Sequence, residues 1–381
     1  MCWRRLVRKR IRVLFVLLNL AGGGAERVAL DVLRHLDTTV FDPFLLILKR
    51  EGVYWDEVPA GLRVEHLVEG GRRFRQSLPH VASTVIRRAR SADVVVGCLE
   101  LDSTYFALFG GLVARRPVVG WVHIALEPYL RIVAPRARRW VRWAYPRLTA
   151  AICPSEGAAR SLRSVTALPV ERIHVVPNLF DAARIEHMAA DALPEWAAEV
   201  MAKPTVVGIG RLVPHKGFDV LIRAHARLRA SGIDHHVLIL GEGPQRDDLE
   251  ALVKDLSVRA SVFMPGFVPN PYPFLARAAV FTLASRLEGM PLVLIEAMAL
   301  GIPIVATDCE SGPAEMLDRG RYGLLVPPGD EDALAGGIAR LLGDAAVRAS
   351  FAADARERVR SYGAERVIPQ WQGLLERLAR T

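Results

Sequence analysis

Ala279-Val280-Phe281-Thr282-Leu283-Ala284-Ser285-Arg286-Leu287-Glu288-Gly289-Met290-Pro291-Leu292-Val293-Leu294-Ile295-Glu296 is the stretch that decides the fold. Its first six residues read as a strand. Gly289 permits a sharp turn, and Pro291 suits the first position of a helix, where its missing N–H is not needed. A helix over 292–300 is therefore predicted. Its opening turn offers unpaired N–H groups and a positive dipole end above the strand ends, where a phosphate fits. Glu288 stands before the helix and Glu296 inside it, so the two acids can address two parts of one long ligand with a phosphate between them. Glutamates beside helix starts also serve as plain dipole partners, and that reading of Glu288 stays open. Glu296 lies among Val293, Leu294, Ile295, Ala297, Met298 and Leu300 and demands a partner, because a carboxylate in so apolar a helix is costly alone.

Upstream, Thr205-Val206-Val207-Gly208-Ile209-Gly210-Arg211-Leu212-Val213-Pro214-His215-Lys216-Gly217 carries an apolar strand into a loop with two cations. Arg211 can fork onto phosphate oxygens and Lys216 can add a mobile point charge, together offsetting a diphosphate leaving group. Read as a dinucleotide fingerprint, Gly208-x-Gly210 lacks its third glycine, since Val213 stands there, so a nicotinamide site is not expected.

These residues carry a resemblance. The run 210–217, the segments 285–291 and 296–306, Leu240-Gly241-Glu242-Gly243-Pro244 and 323–330 resemble the retaining glycosyltransferases of family 4. Toward the N-terminus the likeness reaches Gly22-Gly23-Gly24-Ala25-Glu26-Arg27 and Val175-Val176-Pro177-Asn178. It thus covers nearly the whole chain and is strongest over 204–330. The resemblance implies the GT-B fold, two doubly wound Rossmann-like α/β domains facing across a cleft. Arg211 and Lys216 match the residues that hold the donor diphosphate, Glu296 the carboxylate on the ribose hydroxyls, and Glu288 the one near the donor sugar. Gly210, Gly289, Met290, Pro291 and Leu292 complete the donor-binding set. His123, in Val119-Gly120-Trp121-Val122-His123, matches a histidine across the cleft from the donor sugar. Relatives often carry Asp or Asn directly after it, whereas Ile124 follows here, and a core or capping role for His123 stays open.

Strand-like runs at 11–18, 44–48, 94–96, 118–122 and 148–152 alternate with helix-like segments at 25–36, 78–90, 103–114 and 155–163. The second half repeats the scheme, with strands near 206–209, 236–240, 262–263, 280–283, 304–306 and 323–326 and helices at 217–229, 245–255, 292–300 and 331–342. Length suits two domains. We expect an acceptor-binding domain over 1–180, a nucleotide-sugar domain over 181–363, a linker over 178–204, and a helix within 364–381 that by family analogy crosses back onto the first domain.

The basic lead Arg4–Arg10, an apolar stretch and small residues at 21–25 imitate a signal peptide. Arg12 interrupts the apolar stretch, and cleavage there would remove the first strand, so that reading is rejected. No apolar stretch reaches the roughly 18 residues that span a bilayer. Cys2, Cys98, Cys153 and Cys309 lie far apart without metal or redox spacing, so reduced cytosolic thiols are expected. The Gly22-Gly23-Gly24 loop can receive an anion at a helix start or serve as a plain tight turn, and the resemblance places it on the acceptor side. It is no Walker loop, because no Gly-Lys-Ser/Thr follows.

The net charge of +9 is lopsided. Residues 1–180 hold 28 Lys+Arg against 15 Asp+Glu, and 181–381 hold 22 against 26. Basic clusters occur at Arg72-Arg73-Phe74-Arg75, Arg87-Arg88 with Arg90, Arg115-Arg116, and Arg136 with Arg138, Arg139 and Arg142, the last beside Trp140 and Trp143. Two readings stand, solvated basic surface and peripheral docking through Arg136, Arg139, Trp140, Arg142 and Trp143 to an anionic membrane at the cytoplasmic face.

The expected activity is transfer, with retention, of a hexose or N-acetylhexosamine from a UDP-sugar or other nucleotide-sugar. No Asp-x-Asp pair stands at a strand end, so the fixed charges of Arg211, Lys216 and the helix start take the place of a metal, and no separate cofactor is expected. Asp308–Leu317 is similar to a Ser-Gly-Pro-x-Glu segment in relatives that extend lipid-linked or surface oligosaccharides. With the basic first half, it favours a polyprenyl-diphosphate oligosaccharide or lipopolysaccharide-type acceptor. Two rivals remain: a nucleotide-sugar epimerase, which needs no acceptor, and a nucleic-acid binder, for which no motif is present.

Overall fold

The computed structural model describes residues 9–69 and 74–380. Cys2, the lead Arg4–Arg8 and Arg72-Arg73 lie outside the described residues. The chain divides into two compact units, residues 1–179 with 364–381, and residues 180–363.

The first unit is built on a seven-stranded sheet of order β3-β2-β1-β4-β5-β6-β7, parallel throughout. The strands are β1 (Ile11–Leu17), β2 (Phe41–Arg50), β3 (Arg63–Glu69), β4 (Val94–Gly97), β5 (Val118–Trp121), β6 (Ala150–Cys153) and β7 (Ile173–Val175). β1 is central, paired with β2 and β4. Arg12, which breaks its apolar run, sits where the strand begins and bonds Asp93 just ahead of β4, with Nη2 2.9 Å from Oδ1 and Nε 3.3 Å from Oδ2. The helix Ala364–Ala379 belongs to this unit and seats fully buried Trp371 edge-on to Trp121, their ring centroids 4.3 Å apart.

In the second unit a six-stranded sheet, also parallel, runs β10-β9-β8-β11-β12-β13. Its strands are β8 (Thr205–Ile209), β9 (His236–Leu240), β10 (Val262–Gly266), β11 (Val280–Leu283), β12 (Ile304–Thr307) and β13 (Leu324–Val326). Residues of β8, β9 and β11 are almost wholly buried, as their continuous apolar runs require. Both sheets are doubly wound, and in each the strand order reverses beside the first strand, between β1 and β4 and between β8 and β11. Ligands of such sheets bind at that reversal, beyond the carboxyl ends of the strands.

Three expectations are corrected. The segment expected as a linker is structured: Asp181 caps the helix Ala182–Ala189 by accepting the Arg184 N–H at 3.0 Å, and Phe180, Ile185 and Ala189 pack with Tyr272, Leu294 and Met298. Apolar residues spaced along an alanine-rich stretch were enough to bury one helical face. Pro291 does not open its helix but caps it, with extended ψ of 111°, so the helix is Leu292–Ala299. Strands β3 and β7 were not foreseen, because as edge strands they are half exposed and lack a continuous apolar run.

Candidate functional site

In the second unit the loops that follow neighbouring strands β8 and β11 meet. After β8 the chain is pinned by Leu212, fully buried, whose N–H bonds the Glu242 carbonyl at 2.9 Å. That anchoring leaves the flanking Arg211 exposed. A short 3-10 turn, Pro214–Lys216, ends at Gly217, whose φ of +67° and position against β11 both demand glycine. A Cβ there would lie 2.0 Å from the Ala284 carbonyl oxygen.

This close approach brings the two motifs together across 72 residues of sequence: Lys216 Nζ lies 2.7 Å from Glu288 Oε1. The Ser285 hydroxyl donates to the same oxygen at 2.6 Å, and the Glu288 side chain is only 8% exposed. Glu288 is thus a buried, hydrogen-bonded carboxylate in contact with the Lys216 ammonium. Arg211 and Lys216 lie close enough to His215 to lower its proton affinity, burial being the larger cause and Glu288 opposing it. His215 was given no role from sequence; its place between the two cations is the signal that marks it.

Behind the pair, Ser311 Oγ donates to the Gly289 carbonyl at 3.1 Å. Gly312, at φ +94°, packs so closely that a Cβ would sit 2.7 Å from that same oxygen. The Ser-Gly-Pro segment therefore braces the turn that leads into the helix. Met290 and Pro291 are buried, Leu292 half-buried, and Glu296 only 4% exposed. The partner that Glu296 required is Tyr272, whose hydroxyl donates to Oε1 at 3.0 Å from the Tyr272–Ala276 helix. Glu296 lies about 6 Å along the axis from the helix start at 1.5 Å per residue. Cys309 beside this site is a buried thiol pushed up to about 12 by burial first and Glu288 second, hence inert.

The first unit places three loops at its own strand ends. His123, two residues past β5, has Nε2 2.9 Å from the Cys98 carbonyl, so Nε2 bears the proton and donates. Its backbone N–H donates to Glu100 Oε2 at 3.1 Å, its ring lies 4.6 Å from that of Trp121, and buried Nδ1 has no hydrogen-bond partner among the described residues. Burial lowers its pKa to about 4, against the opposing bond to Cys98. Near neutrality the ring is therefore neutral, with an acceptor lone pair on Nδ1. Glu100 was not singled out from sequence. Burial raises its pKa, and the Glu26 charge adds to that. The next residue, Leu101, holds φ +61° and ψ −112°, a strained backbone for a non-glycine.

Gly22, Gly23 and Gly24 join β1 to the helix Gly24–His35, and the Tyr54 hydroxyl donates to the Gly22 carbonyl at 3.0 Å. Glu26 lies against the loop so closely that a Cβ on Gly23 would be 2.4 Å from its Oε2. The helix start thus carries a carboxylate of its own.

Pro135–Ala137 forms a 3-10 turn that leads into the helix Arg138–Ala144, held by buried Val141 and Ala144. Arg136, Arg139 and Arg142 are exposed, as are Trp140 at 64% and Trp143 at 52%, the two rings edge-to-face at 6.3 Å. Exposed Ile132 and Val133 lie just upstream. No helix among the described residues is long and apolar enough to cross a membrane.

Two doubly wound parallel sheets, one with a cation–carboxylate pair at its reversal point, define a GT-B glycosyltransferase architecture. The family model for glycosyltransferase family 4 matches residues 22–184, and that for glycosyl transferases group 1 matches residues 194–358. The chain belongs to the GT-B glycosyltransferases of the family 4 type.

It is 31% identical over 218 residues to the N-acetylgalactosamine-N,N'-diacetylbacillosaminyl-diphospho-undecaprenol 4-alpha-N-acetylgalactosaminyltransferase of Campylobacter jejuni, 57% of each chain being covered. To the lipopolysaccharide core biosynthesis glycosyltransferase LpsE of Rhizobium meliloti it is 38% identical over 39% of this chain and 42% of that one. The chain therefore matches about half the length of these curated relatives. The crystal structure of Anabaena Alr3699/HepE in complex with UDP-glucose superposes with a TM-score of 0.81 at 21% identity, over 96% of this chain and 100% of that one.

Proposed function

We propose that this protein transfers a hexose or N-acetylhexosamine, with retention, from a UDP-sugar or other nucleoside diphosphate sugar to a lipid-linked or surface-polysaccharide acceptor. The observation that carries the reading is the Lys216–Glu288 contact of 2.7 Å at the mouth of the Leu292–Ala299 helix. In this reading an ammonium and the helix N–H groups face the departing diphosphate, beside a buried carboxylate that can accept bonds from sugar hydroxyls. Arg211 would fork onto the same diphosphate, and buried Glu296 would hold the ribose. With these fixed charges the departing diphosphate is stabilised without a divalent metal, and no separate cofactor is needed. The UDP-glucose bound in the Anabaena structure supports a UDP-linked donor, and the Campylobacter and Rhizobium relatives support a polyprenyl-diphosphate or lipopolysaccharide acceptor.

A panel of nucleotide-sugars, followed by nucleoside diphosphate release with and without membrane-extracted glycolipid, tests this directly. Release that requires the glycolipid is expected. Sugar interconversion without release would replace transfer by epimerisation.

We place the protein at the cytoplasmic face of the membrane, docked through Arg136, Arg139, Trp140, Arg142 and Trp143. Exposed aromatics flanked by arginines suit an anionic interface. Co-sedimentation with vesicles containing anionic lipid is expected to weaken about thirtyfold in Arg139→Ala/Arg142→Ala, near 1 kcal/mol for each of the two basic residues at the surface. Equal sedimentation with neutral and anionic vesicles would dispose of the docking.

A further inference from the structure

We propose that Arg286 and Asp219 form a clamp that fixes Lys216 opposite Glu288, making both of them positioning residues of the donor site; the proposal rests on the donor reading above. Arg286 follows β11, and Asp219 is the second residue of the helix Phe218–Ala230. The guanidinium grips the carboxylate with both forks, Nη1 to Oδ1 at 2.8 Å and Nη2 to Oδ2 at 2.6 Å. Nη1 donates again to the Pro214 carbonyl at 2.8 Å, and the Arg286 backbone N–H donates to the His215 carbonyl at 2.7 Å. One residue thus holds Pro214, His215 and Asp219, which bracket Lys216, while Glu288 lies only two positions beyond Arg286 in the chain. Gly217, pressed on the Ala284 carbonyl, leaves the bracket no slack on its inner side.

The pair is a poor stabilising device. Its side chains are 37% and 32% exposed, and ion pairs so open to water contribute little to folding. What two parallel bonds supply is geometry, because a planar fork fixes distance and orientation where a single contact would not. Burial would raise the Asp219 pKa, but the bonds from Arg286 outweigh it and hold the carboxyl below its usual range, so the clamp is ionised at neutral pH.

Electrostatics and positioning predict opposite signs for one substitution. Asp219→Asn removes a negative charge from the helix turn beside the proposed phosphate site, which by charge alone would tighten nucleotide binding. A clamp predicts weaker binding, because the second fork is lost. Arg286→Lys separates the clamp from a direct phosphate contact in the same way, since lysine keeps the charge and loses the fork.

The test is calorimetric titration of the full chain with UDP and other nucleoside diphosphates. Asp219→Asn, Arg286→Lys and Arg286→Ala are each expected to weaken binding about tenfold, the scale of a loosened supporting contact. Melting temperatures should move little, and donor KM should rise without change in acceptor KM. Tighter or unchanged binding in Asp219→Asn, a near-isosteric change, or full affinity in Arg286→Lys would overturn the clamp alone. A wild-type protein that binds no nucleoside diphosphate would overturn the donor reading and the clamp with it.

Discussion

Lys216→Ala is expected to lower kcat about 10²–10³-fold, the usual loss when one preorganised donor to a developing negative charge is removed. In the proposed reaction the diphosphate gains charge as the anomeric C–O bond breaks, so an ammonium aimed at it helps the transition state more than the bound donor. The loss should therefore fall on kcat, with a smaller change in donor KM. Arg211→Ala should raise KM as well, since a fork onto phosphate oxygens already acts on the bound donor. Arg211 is exposed, so its removal should leave the melting temperature nearly unchanged. Removing Lys216 leaves Glu288, 8% exposed, with the Ser285 hydroxyl still donating to it, at a cost of about 1–3 kcal/mol. The double variant Lys216→Ala/Glu288→Gln removes the carboxylate left without its ammonium. It should recover stability and not turnover; recovery of turnover, or near-normal kcat in both single cation variants, would refute the phosphate assignment.

Much of this architecture was legible because parallel strands buried on both faces must be apolar without interruption. Val94–Val96 can hardly be read otherwise. Arg12 was legible only as an interruption, since its meaning lies in Asp93, 81 residues away. The donor motif could be read as two clusters with matching chemistry, yet what joins them is the adjacency of β8 and β11 and a glycine pressed on a carbonyl, neither of which local spacing encodes. The same holds for the partners that make the acids affordable. Nothing around Glu296 announces Tyr272, and nothing around His123 announces Glu100. Residues 180–204 were misread because alanine-rich sequence weakens the apolar period while still burying one helical face.

The second large effect concerns pH and stability, and it comes from a buried group that the chemistry does not use. His225 and His235 are both fully buried in the second unit. His235 Nδ1 lies 3.0 Å from the Ile233 carbonyl and must donate to it, so in the neutral ring Nε2 accepts from His225 Nδ1 at 2.9 Å. With both rings neutral, His225 Nε2 accepts from the Ser261 hydroxyl at 2.8 Å, and the Val258 carbonyl, 3.2 Å away, competes for the same hydroxyl proton. An added proton would be buried beside a second imidazole and near Arg229 and His236. Burial first, then His235, lowers the His225 pKa to about 3, and burial lowers that of His235 too.

The sign follows from proton counts. Above the unfolded histidine value of about 6.5 neither state binds the proton and the cluster costs nothing; as pH falls below it, the unfolded chain takes up a proton that the folded chain refuses. Stability is thus full at pH 7 and declines continuously toward pH 3. For His225 alone the decline between pH 7 and pH 5 is about 2 kcal/mol. Hydrogen exchange of β9 peptides, read against denaturant at both pH values, should register it as an earlier midpoint at pH 5. His225→Gln is neutral at either pH and should flatten the slope whatever it does to absolute stability. An unchanged slope in that variant would mean that the acid sensitivity of this unit originates elsewhere.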